Sequence, residues 1–269
     1  MPHNAGWAAF LLRALRLLVI VYAVATVALW MFANRLIFLP QPPTYRTLPG
    51  LVRIPVERDT IAAVWMPNPA ARFNVLYSHG NAEDLGDDRP LLEEMRRRGF
   101  SVFAYDYRGY GASTGRPTER HAYADEAAAY AYLTRTLHVP PSRIIVHGRS
   151  LGGGPAAELA SREPVAGLVL ESTFTSVGAA VSWGRLFAID YFRSGRRLKT
   201  VRCPVLVIHG TADRVIPFSV GQRLFEGARW PKQSLWVEGA GHDDLVAVAG
   251  ERYWSALHRF ADSLDPGAR

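Results

Sequence analysis

The run Arg143-Ile144-Ile145-Val146-His147-Gly148-Arg149-Ser150-Leu151-Gly152-Gly153-Gly154-Pro155-Ala156-Ala157-Glu158-Leu159-Ala160 decides how this chain folds. Its first part is a short apolar stretch of the kind that makes a buried strand. Its last part reads as a helix opening, with Pro155 early enough to be tolerated in the first turn. Between them, Gly-x-Ser-x-Gly over 148–152 suits a sharp strand-to-helix turn, in which glycines let strand and helix pass close together. Such a turn exposes the serine hydroxyl, which is a poor nucleophile until a base stands beside it. Ser150 is therefore a candidate covalent catalyst.

Outward from this turn, apolar runs alternate with amphipathic segments. Strands are expected at 52–56, 61–66, 73–77, 101–105, 144–146, 167–170, 205–208 and 235–237, and helices at 90–98, 118–137 and 251–264. The first two strands are joined by the polar turn Glu57-Arg58-Asp59-Thr60. The pattern implies an α/β fold, with a mostly parallel sheet of about eight strands covered by helices on both faces. Functional loops of such sheets lie beyond the carboxyl ends of the strands. His79-Gly80-Asn81-Ala82, Asp106-Tyr107-Arg108-Gly109-Tyr110-Gly111, Ser150, Glu171-Ser172, Asp213 and His242 all follow expected strands, so they are expected on one rim. No internal repeat is apparent.

The bulk composition agrees with a folded domain. The chain has 269 residues, of which 49% are hydrophobic, enough for a large core and too many for a disordered chain. The net charge of +7 comes almost entirely from arginine, since lysine occurs only at Lys199 and Lys232. No basic repeat or recognition motif accompanies it, so nucleic acid is not an expected partner. The clusters Arg96-Arg97-Arg98 and Arg193, Arg196, Arg197, Lys199 suit an anionic membrane surface. The single cysteine, Cys203, precedes Pro204 at a strand start and reads as a buried apolar residue.

The N-terminal region carries a second signal. Leu17 to Ala33 holds no charge, and apolar residues extend it on both sides. Its length is at the short end for a spanning helix. Arg13, Arg16 and Arg35 can snorkel at its ends, and Trp7, Tyr22 and Trp30 include interface aromatics. Residues 1–36 are accordingly expected to form a membrane anchor and 37–50, with Gln41-Pro42-Pro43 and Leu48-Pro49-Gly50, a linker. Residues 51–269 are expected to form the catalytic domain. A cleaved signal peptide, with Ala23-Val24-Ala25 as the cleavage site, is the competing reading. Arginines flank the run on both sides, and the short N-terminal tail favours a single-pass signal-anchor with the long domain translocated.

An activated serine needs a base, usually histidine, and an acid to orient it. Of the eight histidines, His3, His121, His138 and His258 sit in a tail, on helices or at a helix end, where surface or packing roles prevail. His147 and His209 close strands and read as framework residues. His79 reads as shaping its own loop. His242 remains, in the loop Glu238-Gly239-Ala240-Gly241-His242-Asp243-Asp244 after the last strand. Asp213, directly after a strand, is the candidate acid; the other reading makes it a turn or helix-cap residue. Asp243 and Asp244 read as loop or cap residues. Asp106, with Arg108 placed to pair with it, reads as structural. The oxyanion of an acyl transfer needs two backbone donors already in place. The Leu151 N–H and a donor from the His79 loop, chiefly the Asn81 N–H, fill that role. No metal-ligand cluster or phosphate loop is evident, so no metal and no cofactor are implied.

The order Ser150, Asp213, His242 is that of the α/β-hydrolases. The set resembles their serine hydrolases, most of all the membrane-anchored, serine-aminopeptidase-like branch that includes eukaryotic protein depalmitoylases. The resemblance is carried by His79-Gly80-Asn81-Ala82, Asp106 to Gly111 with Ser113 and Gly115, Gly148 to Gly152, Glu171-Ser172-Thr173-Phe174, the Asp213 segment and Gly241-His242. It implies the α/β-hydrolase fold and acyl-transfer chemistry, and it says little about substrate. The depalmitoylases carry a cysteine-rich tail for lipid attachment. This chain has an apolar helix and no cysteine in that place.

Residues 175–200 are expected to form a short cap. Trp183, Leu186, Phe187, Ile189, Tyr191 and Phe192 either line an acyl pocket, in which Trp183, Phe187 and Tyr191 stand foremost, or pack the cap onto the core. The leading expectation is a membrane-anchored serine hydrolase of ester or thioester bonds with a small-molecule or lipidic acyl substrate. A serine peptidase or aminopeptidase is the alternative enzyme. A non-catalytic binding module on a hydrolase scaffold is the alternative of another class.

Overall fold

The computed structural model describes residues 3–180 and 190–264. The chain opens with α1 (His3–Ile37) and the hairpin β1 (Leu51–Val56) and β2 (Asp59–Met66). Strands and helices then alternate: β3 (Asn74–Ser78), α2 (Leu85–Arg97), β4 (Ser101–Tyr105), α3 (Glu119–Ala131), β5 (Ile144–Arg149), α4 (Gly153–Arg162) and β6 (Gly167–Glu171). The short helices α5 (Val177–Ala180) and α6 (Ser194–Arg197) belong to the cap region. Then come β7 (Val205–Gly210), α7 (Phe218–Gly227), β8 (Lys232–Val237), α8 (Leu245–Ala249) and α9 (Glu251–Ser263).

The eight strands form one sheet in the order β1-β2-β4-β3-β5-β6-β7-β8. Only β1–β2 and β2–β4 pair antiparallel; every later pairing is parallel. This is the α/β-hydrolase architecture expected from the alternating pattern. Strand side chains alternate across the sheet and feed two cores. Phe103 and Tyr105 of β4 join the core under α3, α4 and α7, whereas Val102 and Ala104 join the core under α2, α8 and α9. β4, β6 and β7 are buried along their whole length, as a sheet covered on both faces requires.

Local chemistry moved some boundaries. Helix α2 begins before Pro90, not at it. Asp84 accepts the Gly86 and Asp87 N–H groups while the Asp87 carboxylate accepts the Asp84 N–H, a capping box that starts the helix at Leu85. Pro90 is then carried inside the helix. Helix α3 stops at Ala131 and widens into a π turn over Tyr132–Thr136. The short helix α8 was not expected at all.

Helix α1 divides into two parts. The stretch Phe10–Ile37 contains an 18-residue window with a mean hydropathy of 2.2 and is long and apolar enough to cross a membrane. At about 1.5 Å per residue it exceeds the roughly 30 Å hydrocarbon core. Leu17, Leu18 and Val24 are each more than 60% exposed. The last turn behaves differently, because Ala33, Ile37 and Phe38 are buried in the core shared with α3 and α4. The segment after it is likewise tied down. Tyr45 is buried with its hydroxyl on Asp106, and the Thr44 N–H donates to Asp84 Oδ2 at 2.8 Å.

Candidate active site

The strand register sets the rim. Ser78 of β3 pairs with Gly148 of β5, Arg149 with Glu171 of β6, and Gly210 of β7 with Val237 of β8. The loops after these strands therefore leave the sheet side by side. Ser150 follows β5 directly and has φ +50°, the left-handed region that a side chain rarely adopts. Holding it there costs of order 1–3 kcal/mol and lifts the hydroxyl clear of the strand end. Two glycines allow the turn. A Cβ on Gly148 would meet the Gly152 carbonyl, and one on Gly152 would meet the Ser78 carbonyl of β3.

Ser150, His242 and Asp213 come together at this rim. The Ser150 hydroxyl lies 3.0 Å from His242 Nε2, and His242 Nδ1 lies 2.8 Å from Asp213 Oδ2. Ser150 and His242 are half-buried and Asp213 is buried. Asp213 is also the turn residue of the competing reading. Its Oδ1 accepts the Val215 and Ile216 N–H groups at 2.8 Å, which fixes the carboxylate and leaves Oδ2 for the imidazole. Burial by itself would raise the Asp213 carboxyl. The hydrogen bonds from His242 and from the Ile216 and Val215 N–H groups outweigh it and hold the carboxyl below its ordinary range. An ionised Asp213 keeps the Nδ1 proton of His242 facing it, so Nε2 can accept from the serine.

The loop after β3 lies beside the elbow. The Gly80 N–H is taken by Glu83 Oε1, so the next donors along the loop are the Asn81 and Ala82 N–H groups. Leu151 opens the first turn after the serine, where backbone N–H groups have no intrahelical acceptor. The Asn81 side chain is occupied elsewhere, with Nδ2 donating to the Ile37 carbonyl at 2.7 Å. His79 Nδ1 lies 2.7 Å from the Gly80 carbonyl and so shapes its own loop. His147 faces Glu171 at 2.9 Å, and His209 Nε2 faces the Ile216 carbonyl at 2.9 Å. Both are fully buried framework residues.

The pairing expected between Arg108 and Asp106 does not form. Arg108 Nε donates to Asp125 Oδ1 at 2.7 Å and Nη1 to Glu57 Oε2 at 2.9 Å. Asp106 instead accepts from Tyr45 and from the Leu85 N–H, and burial pushes its carboxyl up to about 6. Asp243 pairs with Arg149 at 3.0 Å, and Asp244 accepts the Gly241 N–H at 2.7 Å. Cys203 is half-buried against the core.

Several supporting residues escaped the sequence. Arg149 ties two loops to the end of β6, donating to Glu83 at 2.6 Å and to Asp243 at 3.0 Å with Glu171 at 3.9 Å. Thr173 Oγ1 donates to the Ser150 carbonyl at 2.6 Å. These contacts join residues far apart in the chain, and only the motif Glu171 to Phe174 hinted at one of them. Of the expected pocket residues, Trp183 and Phe187 lie outside the described residues. Tyr191 is half-buried against the core and its carbonyl accepts the Val177 N–H at 2.9 Å. A cleft of about 430 Å³ opens beside His242, with Leu91, Leu245, Val246 and Trp254 in its wall. Tyr191 does not line it.

This strand order and rim define an α/β hydrolase, and comparison with known proteins agrees. A family model described as serine aminopeptidase, S33, matches residues 69–193. Alpha/beta hydrolase domain-containing protein aho-3 of Caenorhabditis elegans is 42% identical over 217 residues, covering 77% of this chain and 63% of that protein. Human alpha/beta hydrolase domain-containing protein 17B is 41% identical over 197 residues, covering 72% of this chain and 67% of its own. Among solved structures, the esterase Pf2001 of Pyrococcus furiosus superposes with a TM-score of 0.70 at 21% identity, covering 84% of this chain and 99% of that one. The chain belongs to the α/β-hydrolase family, among the alpha/beta hydrolase domain-containing proteins.

Proposed function

We propose that this chain is a serine hydrolase that cleaves carboxylic ester or thioester bonds of lipidic acyl substrates, with α1 as a single-pass membrane anchor. The contact that carries the reading is the relay from Ser150 through His242 to Asp213, at 3.0 and 2.8 Å. Ser150 Oγ attacks the acyl carbon and its proton passes to His242 Nε2. The bond to the leaving oxygen or sulfur breaks, and His242 returns the proton to that atom. Water then attacks the acyl-enzyme, gives its proton to His242, and the acid departs as Ser150 regains its hydrogen. The Asn81 and Leu151 N–H groups hold the oxyanion of each tetrahedral intermediate. Support for a membrane site comes from the exposed apolar length of α1, and support for ester chemistry from the esterases of similar fold.

The description of the matching family model favours a second reading, an aminopeptidase. A rate series over acyl esters, thioesters and aminoacyl amides of varied chain length separates the two. The expected outcome is turnover of esters or thioesters with little amide cleavage; preferred cleavage of aminoacyl amides would replace this proposal with the peptidase. Ser150→Ala is expected to abolish labelling by a fluorophosphonate, and labelling that survives would remove Ser150 from the mechanism. The same test eliminates a purely binding role if the parent chain labels. The protein is expected to pellet with membranes and resist carbonate extraction, whereas a shortened soluble form would point to a cleaved signal peptide.

A further inference from the structure

The oxyanion loop is fastened to the end of the membrane helix. Asn81 Nδ2 donates to the Ile37 carbonyl at 2.7 Å, in the last turn of α1. Asn81 Oδ1 accepts the Leu39 N–H at 3.0 Å and the Tyr110 hydroxyl at 2.6 Å. The Leu39 N–H also meets the Tyr110 oxygen at 3.0 Å. One primary amide thus satisfies a helix-end carbonyl and the chain leaving the helix, groups that the helix itself leaves unpaired. Tyr110 is 1% exposed and its ring packs on His79 and Tyr107, so the clip has a rigid back wall. On its other side, Phe38 stacks edge-on with Phe192 of the cap region at 5.8 Å between ring centres. Phe192 in turn meets Tyr123 and Phe174.

We infer that Asn81 and Tyr110 are positioning residues that lock the oxyanion loop to the last turn of α1, so that turnover at Ser150 depends on how the membrane helix is seated. The inference rests on the hydrolase reading above. The Asn81 side chain is engaged with Ile37, Leu39 and Tyr110. It fixes the backbone whose N–H the hydrolase reading assigns to the oxyanion, and such donors work only when held in place before the reaction. A helix held by the bilayer along its exposed length and by Asn81 at its end makes the membrane part of the scaffold of the site. The chemistry it suits is an acyl group delivered from the bilayer, at the end where α1 meets both loop and cap.

The test uses the full chain in phosphatidylcholine nanodiscs, a soluble short-chain p-nitrophenyl ester and a fluorophosphonate. The variants are Asn81→Ala, Asn81→Asp and the near-isosteric Tyr110→Phe. The labelling end-point counts folded sites, so the rate constant is read per folded molecule. Asn81→Ala is expected to lower kcat and the labelling rate by about 10²-fold, the scale of a small misplacement of catalytic groups, with KM little changed. Asn81→Asp keeps the acceptors but loses the donor to Ile37, so it is expected to share the defect. Tyr110→Phe is expected to lose about tenfold, the weight of one strong hydrogen bond. The acid limb of the pH profile should not move, because the His242 relay is untouched.

Parental labelling rates together with a lowered melting temperature would overturn the inference, leaving the clip as a structural fastening only. Loss of every labelled site in Tyr110→Phe would overturn it as well, since the hydroxyl would then hold the domain and not the loop. Labelling that persists in Ser150→Ala is a separate failure. It removes the hydrolase reading whatever the Asn81 variants do.

Discussion

Among the described residues, two hydrogen-bonded carboxylate–imidazole pairs stand at the carboxyl end of the sheet, and they have different environments. Glu171 and His147 meet at 2.9 Å, and Asp213 and His242 at 2.8 Å. In both, the carboxyl is held below its ordinary range against the effect of burial, with the imidazole hydrogen bond as the main counterweight. Yet the His147 ring is enclosed by the sheet, and Glu171 is also bound by Tyr253 at 2.7 Å. His242 stands on a loop, half-buried, with its second nitrogen facing the Ser150 hydroxyl. The pairing is common to both sites. What sets the second apart is a loop-borne imidazole whose other ring nitrogen is within reach of a serine hydroxyl.

Substitutions can break this comparison. His242→Ala is expected to lower kcat by about 10⁶-fold, the scale seen when a triad base is removed. His147→Gln should lower the melting temperature and leave kcat essentially as it was; a catalytic collapse in His147→Gln with retained folding would reverse the roles. Asp213→Asn should cost about 10⁴-fold in kcat, because the amide favours the wrong imidazole tautomer. Glu171→Gln should instead cost about 3 kcal/mol of stability by breaking a buried pair. Denaturant titration and ester turnover on the same samples separate the two effects.

Acid sharpens the comparison. Both carboxyls titrate lower in the folded chain than in the unfolded one, so the unfolded chain takes up protons first. Their stabilisation is complete above about pH 5 and is lost as pH falls through the range below the ordinary values, 3.8 for Asp213 and 4.5 for Glu171. Melting temperature measured against pH should fall steeply there, and less steeply in Glu171→Gln. An unchanged slope would show that the pair contributes nothing to acid sensitivity. The smallest expected effect is that of Thr173→Val, which removes the hydrogen bond to the Ser150 carbonyl and should cost about 1 kcal/mol of stability, with a modest loss of kcat.

The elements that were legible share a local cause. The elbow at Ser150, the strands either side of it and the loops bearing Asp213 and His242 are written in short runs of apolar residues, glycine and proline. The start of α2 is less legible, because Pro90 is a visible signal while the capping box depends on Asp84 reaching forward, and Asp87 back, to backbone N–H groups. Sequence proximity pairs Arg108 with Asp106, but its partners Asp125 and Glu57 arrive from a helix and a turn. The stretch 37–50 has the composition of a linker. In the fold it lies strapped to Asn81, Asp84 and Asp106.

The sequence by itself determined the class of fold, the residues at the rim and the apolar helix, because strand period, turn chemistry and hydropathy act over neighbouring residues. Tertiary structure alone decided which carboxylate faces which imidazole. It also decided that Arg149 ties the loops bearing Glu83 and Asp243 together and that the end of α1 is bound to the loop after β3. Those contacts are hydrogen bonds between groups dozens of residues apart, and they exist only once the sheet register has brought the strand ends level.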